Sequence, residues 1–343
     1  MSFSFQKQKV ETITVIGAGS MGAALSIHLA KLGYNVKIWS AFPEEVEMIN
    51  KTKEQKDKLP GVKIPENVFC TNDIKDAIND VHIIVLAIPS QTIRSNARLL
   101  AKYIDSKMMI ACFSKGLEEE TGLRLSSVVS QELPKTTYVA FSGPCHAEEL
   151  ARGIPTAYVA SSENPYAAEY AQDIFMSPVF RVYINNDIIG VELGGALKNI
   201  IALCAGISDG LGYGDNTKAA LITRGIAEIA RLGEAMGANP QTFAGLAGIG
   251  DLVVTCTSKY SRNRMAGILI GKGKSINEAI NEVKMVVEGI ATTKAAHHLA
   301  KSKNISMPIT FEAYDVLFNG KNPRDAVNNL MMRDKKHEMR KLK

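Results

Sequence analysis

The feature that most restricts what this chain can fold into is a glycine spacing near its start. The apolar run ITVIG leads into Gly17-Ala18-Gly19-Ser20-Met21-Gly22 and then into the helical pattern AALSIHLAKLG. Each glycine has a physical reason. Gly17 permits a tight turn, Gly19 lets backbone approach a pyrophosphate, and Gly22 lets the helix pack closely on the strand. The helix start adds unpaired N–H groups and a positive dipole end. A glycine-rich structural turn is the bland alternative. The context, a strand feeding a helix inside a βαβ unit, favours a dinucleotide-binding loop.

The rest of the chain extends that reading. Strand-like runs recur at 12–16, 35–39, 68–71, 81–87, 108–113, 137–141, 156–160 and 179–183. Several are unbroken apolar stretches, as expected of strands buried on both faces. Helical segments such as 20–32, 90–103 and 123–132 lie between them. This alternation predicts an α/β N-terminal Rossmann-like doubly wound sheet, mainly parallel, over residues 1–187. From residue 188 to 343 the pattern is helical only, with segments at 190–207, 216–236, 240–244, 263–272, 275–283, 289–303 and 309–318. An all-α substrate or catalytic domain is expected there.

Composition narrows the class. Of 343 residues, 46% are apolar and 22% charged, which excludes disorder as the main state. The longest apolar stretch, 188–207, carries Glu192 and Lys198, so no membrane insertion is expected. The first residues, MSFSFQKQKVET, contain no apolar signal core. Five cysteines without a CxxC or Cys/His cluster argue against disulfides or a metal site and fit a reducing cytoplasm. The net charge of +5 is concentrated at the end. MMRDKKHEMRKLK carries +4 and the preceding residues only +1, so no nucleic-acid surface is expected. That tail reads as a solvated basic helix end.

Chemistry is expected where strands end. The tip of the second strand, Trp39-Ser40-Ala41-Phe42-Pro43, carries neither an acid nor a base, and Glu44 and Glu45 follow late. It therefore leaves NAD and NADP unresolved. Ile88 and Pro89 are placed to wall a ligand, though proline also simply starts helices. Lys115 in SKG and Gly143, Cys145 and His146 in FSGPCHAE follow further strands. Lys198 lies in an apolar helical stretch; burial would lower its pKa and suit it to proton transfer, whereas a surface stripe would let it snorkel. Asp251, after the turn GLAGIG, either caps the next helix or pairs with a lysine. Ser261-Arg262-Asn263-Arg264 offers hydroxyl, guanidinium and helix-start N–H groups suited to phosphate, or forms an ordinary N-cap.

Taken together, these stretches resemble the bacterial NAD(P)-dependent glycerol-3-phosphate dehydrogenases over nearly the whole chain. The resemblance rests on VIGAGSMGAALSIHLA, AIPS, SKGLE, FSGPCHAEELA, GVELGGALKNIIALCAGISDGLGYGDNTKAALITRG, GLAGIGDLVVTCTSKYSRNR and VVEGIATTKA. It implies interconversion of sn-glycerol 3-phosphate and dihydroxyacetone phosphate with NAD or NADP, supplying glycerophospholipid synthesis in the cytoplasm, in a homodimer. By the same resemblance Lys198 is the proton donor or acceptor, and Lys115 and Asp251 assist it. Gly143, Cys145, Ser261, Arg262 and Asn263 complete the substrate side. Ser20, Met21, Lys115, Ala147, Arg262, Val286 and Glu288 join the three glycines on the cofactor side, with Ala41 near the adenosine ribose. Two positions depart from the family pattern: Ala41 stands where Arg or His is common, and Cys145 where Thr is common. A dehydrogenase of another small hydroxy acid, such as a 6-phosphogluconate or 3-hydroxyisobutyrate type, and a non-catalytic cofactor-binding sensor are the alternatives.

Overall fold

The computed structural model describes residues 12–104, 108–335 and 337–338. Its first half is one sheet. Strands β1 (Thr12–Ile16), β2 (Asn35–Trp39), β3 (Val68–Thr71), β4 (Ile83–Leu86), β5 (Met109–Cys112), β6 (Thr137–Ser142), β7 (Thr156–Ser161) and β8 (Phe180–Ile184) lie in the order β3-β2-β1-β4-β5-β6-β7-β8. Neighbours run parallel except β6 and β7, which are antiparallel. β1 pairs with β2 and β4 on its two sides (Val15 with Ile38 and with Val85), so strand order reverses there. A crevice opens at such a switch point, beyond the carboxyl ends of the strands.

Side chains alternate across the sheet and fill a core on each face. Ile13 and Val15 of β1 and Ile83 and Val85 of β4 pack with Leu25 and Phe175 on one side. Ile16, Ile84 and Leu86 pack with Ile93 and Val128 on the other. The covering helices are α1 (Ser20–Lys31), α2 (Pro43–Thr52), α3 (Ile74–Ile78), α4 (Ile93–Leu100), α5 (Leu125–Glu132), α6 (Ala147–Ala151) and α7 (Pro165–Phe175). The helix expected over 90–103 is shorter. A 3₁₀ turn, Ser90–Thr92, precedes α4 and redirects the chain after Pro89.

The remainder is helical: α8 (Ile188–Gly210), α9 (Asp215–Ala235), α10 (Asp251–Thr257), α11 (Arg262–Gly271), α12 (Ile276–Val283), α13 (Glu288–Ser302), α14 (Pro308–Phe318) and α15 (Pro323–Met331). α8 begins four residues after the last strand, with Asp187 as its N-cap accepting from the Gly190 N–H (2.9 Å). It is long and apolar enough to cross a membrane by length and composition, but 83% of its most apolar window is buried. α9, α10, α11 and α13 surround it. A helix apolar all round is stable when neighbours enclose it. The segment 240–244, read as helical, is a 3₁₀ turn. At the chain end, α15 stops at Met331 with Met331 and Met332 exposed. Lys336 and residues 339–343 of the basic tail, like residues 1–11, lie outside the described residues.

Candidate active site

Three charged side chains meet where the sheet's carboxyl edge faces α8. Lys198 Nζ donates to Asp251 Oδ1 and to Thr255 Oγ1 (2.9 Å). Lys115 Nζ donates to Asp251 Oδ2 (2.7 Å) and to the Gly143 carbonyl (2.8 Å). Asp251 is fully buried, and each of its oxygens is held by an ammonium group. The Lys115 ammonium also lies 5.1 Å from the Tyr158 ring centroid. Lys115 follows β5 and Gly143 follows β6, so both come from strand ends. The Gly194-Gly195 pair allows the approach: a Cβ on Gly194 would stand 2.3 Å from the Ala247 carbonyl oxygen, and one on Gly195 2.5 Å from Ser142 Oγ.

Asp251 does not cap a helix. A π-helical turn, Leu246–Gly250, runs directly into α10, so Gly250 and Asp251 both have helical backbone angles. Its carboxylate is thereby free to serve the lysines. Burial lowers the Lys198 pKa to about 8, with Asp251 opposing and Lys115 reinforcing the shift. For Asp251, burial pushes upward, but the two ammonium groups outweigh it and hold the carboxyl below its ordinary value. Burial raises the Cys145 thiol to about 12, which keeps it in the poorly reactive thiol form. Burial, then the Lys198 charge, lowers His146 to about 4.

The Ser261–Arg264 segment divides its labour. Ser261 is the buried N-cap of α11, its Oγ accepting from the Arg264 N–H (3.2 Å). Asn263 is buried and bridges three helices: its Nδ2 donates to Asn199 Oδ1 (2.9 Å), and its Oδ1 accepts from the Gly289 N–H (2.8 Å). Arg264 is held by Asp209 through Nε (2.8 Å) and Nη2 (2.6 Å). Arg262 is exposed and has no ion-pair partner among the described residues. The Arg262 guanidinium and the unpaired N–H groups of the helix start are what remain for an anion.

The glycine loop has the shape of a phosphate cradle. Gly17 has φ +111°, and a Cβ there would come 2.6 Å from the Ala87 carbonyl oxygen and 2.8 Å from Ile88 Cγ2. A Cβ on Gly22 would clash with the Gly17 carbonyl at 1.8 Å, whereas one on Gly19 would meet nothing within 4 Å. α1 starts beyond Gly19 with no side-chain cap. The buried Ser20 hydroxyl has no partner. Open space, uncapped N–H groups and an orphaned hydroxyl fit a dinucleotide pyrophosphate. Around the loop, Met21 packs against the core, Ala147 opens α6, and Ala41 is exposed at the tip of β2. Val286 is exposed, and Glu288 opens α13, its carboxylate accepting from the Ser90 N–H (2.9 Å) and hydroxyl.

Thr255, Tyr158, Asn199 and Ser90 belong to this constellation but were not picked out in the sequence. Thr255 stands four residues after Asp251, a spacing that puts both on one face of a helix and could have found it. The other three owe their places to contacts across the fold and leave no local signal.

A doubly wound dinucleotide-binding sheet, with a lysine–carboxylate–lysine cluster against a helical second half, defines a nicotinamide-dependent dehydrogenase. Residues 12–168 match the family model for the NAD-dependent glycerol-3-phosphate dehydrogenase N-terminus, and residues 187–328 match that for its C-terminus. The chain belongs to this family. A relative from Thermoanaerobacter sp. (strain X514) is 54% identical over 95% of this chain and 98% of its own. Another, from Clostridium tetani (strain Massachusetts / E88), is 51% identical over 98% of each. Both are named glycerol-3-phosphate dehydrogenase with NAD(P)+ as cofactor. The crystal structure of glycerol-3-phosphate dehydrogenase from Coxiella burnetii matches with TM-score 0.92 and 38% identity, over 94% of this chain and 99% of that one.

Proposed function

We propose that the protein interconverts sn-glycerol 3-phosphate and dihydroxyacetone phosphate with NAD(P)(H), and that it supplies glycerol 3-phosphate for glycerophospholipid synthesis. The observation that carries this is the buried Asp251 carboxylate holding Lys198 and Lys115 side by side at the sheet's carboxyl edge. When bound, the nicotinamide exchanges a hydride with the carbinol or carbonyl carbon. In the reducing direction Lys198 gives its proton to the oxygen as negative charge develops, and Lys115 adds a second positive charge beside it. With a pKa of about 8, Lys198 holds its proton at neutral pH and releases it readily. Asp251 stays ionised and keeps both lysines in position.

Arg262 and the start of α11 hold the substrate phosphate, which fixes a small molecule at both ends. Gly143 and Cys145 line the substrate side, the thiol contributing little as a hydrogen-bond donor. Ser261 and Asn263 serve there by building the helix start. The loop of Gly17, Gly19 and Gly22, with Ser20, Met21, Ala41, Ala147, Val286 and Glu288, forms the cofactor side. In this reading residues 1–187 act as the dinucleotide-binding domain and 188–343 as the substrate domain, in a cytoplasmic homodimer. Sedimentation of the purified protein measures the last point. No observation favours another small hydroxy acid as substrate.

The test is loss of reduced-nicotinamide absorbance when purified protein meets dihydroxyacetone phosphate with NADH or NADPH. Turnover with at least one cofactor is expected; none with either overturns the reading.

A further inference from the structure

Cofactor choice in such sheets is made at the end of β2, where an acid binds the ribose hydroxyls of NAD and a base accepts the extra phosphate of NADP. Here the strand runs into Ser40, Ala41 and Phe42, none of them charged. The charges come from elsewhere. Glu45, in the first turn of α2, accepts from the Ser40 hydroxyl through Oε2 (2.7 Å) and is paired with Lys58 through Oε1. Ser40 Oγ in turn accepts from the Phe42 N–H (3.2 Å). The Lys58 ammonium lies 6.0 Å from the Phe42 ring centroid, and that ring is more than half exposed.

Lys58 reaches this point because its loop is clamped to the glycine motif. Gln55, buried, donates from Nε2 to the Ala18 carbonyl (2.7 Å), and the Leu59 N–H donates back to the Gln55 carbonyl (2.9 Å). Leu59 is buried beneath. Two other lysines of this region are engaged elsewhere: Lys37 with Asp76, and Lys53 with Glu66.

The two partners are not equal candidates for the ribose. Both oxygens of Glu45 already take a donor, and only 12% of its side chain is exposed, against 34% for Lys58. Glu45 is therefore a neutralised carboxylate behind a cation. An ammonium has three donors, and Lys58 spends one on Glu45. Ala41 adds no charge and little bulk. We propose that Lys58, held by Glu45 at the end of β2, is the specificity-determining residue that recognises the 2′-phosphate of NADP(H), and that the protein prefers NADP(H) over NAD(H). The proposal rests on the dinucleotide reading above and deepens it.

Binding without turnover tests it. Titration calorimetry would compare 2′,5′-ADP with 5′-ADP on wild-type protein, Lys58→Met and Lys58→Arg. Wild type should bind 2′,5′-ADP more tightly. Lys58→Met should lose at least about tenfold in 2′,5′-ADP affinity, the size of a charge-assisted phosphate contact. Its 5′-ADP affinity should stay within about twofold, and Lys58→Arg should restore most of the loss. Equal weakening of both ligands in Lys58→Met, or unchanged 2′,5′-ADP binding, overturns the proposal and leaves the dehydrogenase reading standing. Wild-type protein that binds neither ADP derivative, nor NADH or NADPH, overturns both.

Discussion

Two of the molecule's lysine–carboxylate clusters differ in character. At the sheet's carboxyl edge Asp251 is sealed from solvent between Lys115 and Lys198. At the end of β2 Glu45 is shared by Ser40 and Lys58 in a partly solvated setting. The same functional groups do different work because water reaches one and not the other. In the buried cluster desolvation moves pKa values and suits a lysine to proton transfer. In the open cluster the ammonium stays within reach of solvent, where it suits recognition of an anion.

The largest expected effect breaks the buried cluster. Asp251→Asn leaves two ammonium groups buried without their counter-ion. It should lower unfolding free energy by about 3–5 kcal/mol, read from the denaturant midpoint, and abolish turnover. A stability change near zero would show that the cluster is wetter than its burial indicates. Lys198→Ala removes the proton carrier. Turnover should fall at least ~100-fold while NADH or NADPH binding survives; wild-type turnover in that variant removes the lysine from the reaction.

The pH profile probes the same cluster without mutation. Because Lys198 is lowered to about 8, ketone reduction should decline as pH rises through about 8, while alcohol oxidation should gain there. Its contribution to stability has the opposite sense to that of a raised base. Between about 8 and its ordinary value of 10.5, the unfolded chain binds more protons than the folded one. This group alone thus favours folding progressively more as pH rises through that window. A reduction rate flat from pH 7 to 9 with the chemical step rate-limiting would remove Lys198 as the titrating donor.

Arg262→Ala should act mainly on KM for the phosphorylated substrate, with kcat changed less; an unchanged KM would count against a phosphate role. The smallest effect is expected at the open cluster. Lys58→Met should cost no more than about 1 kcal/mol of stability, as for other exposed pairs. If it destabilised the protein as much as Asp251→Asn, the contrast between the two clusters would fail.

The legible parts of this chain were those governed by local rules. Every strand run read from apolar patterning became a strand, because residues buried on both sheet faces must be apolar at successive positions. The glycine motif was legible because no other residue fits Gly17 and Gly22 at those distances. Helix α15 was missed, and α10 was read only as the helix that Asp251 would cap. The glycines before Asp251 resemble a turn when read in sequence, yet they form a helical turn that feeds α10. Among the site residues, Lys115, Lys198 and Asp251 were all singled out, but whether Asp251 capped a helix or paired with a lysine stayed open.

The sequence by itself thus determined the alternation of strand and helix, the phosphate loop and the set of side chains capable of the chemistry. These follow from steric limits and hydrophobic periodicity, which act over a few residues. Tertiary structure decided which charges share a site. It joined Lys115, Lys198 and Asp251 from three elements, consigned Arg264 to Asp209 while leaving Arg262 open, and brought Lys58 to the end of β2. Such pairings depend on distance and burial between segments far apart in the chain, and it is burial that sets whether a lysine moves a proton or holds an anion.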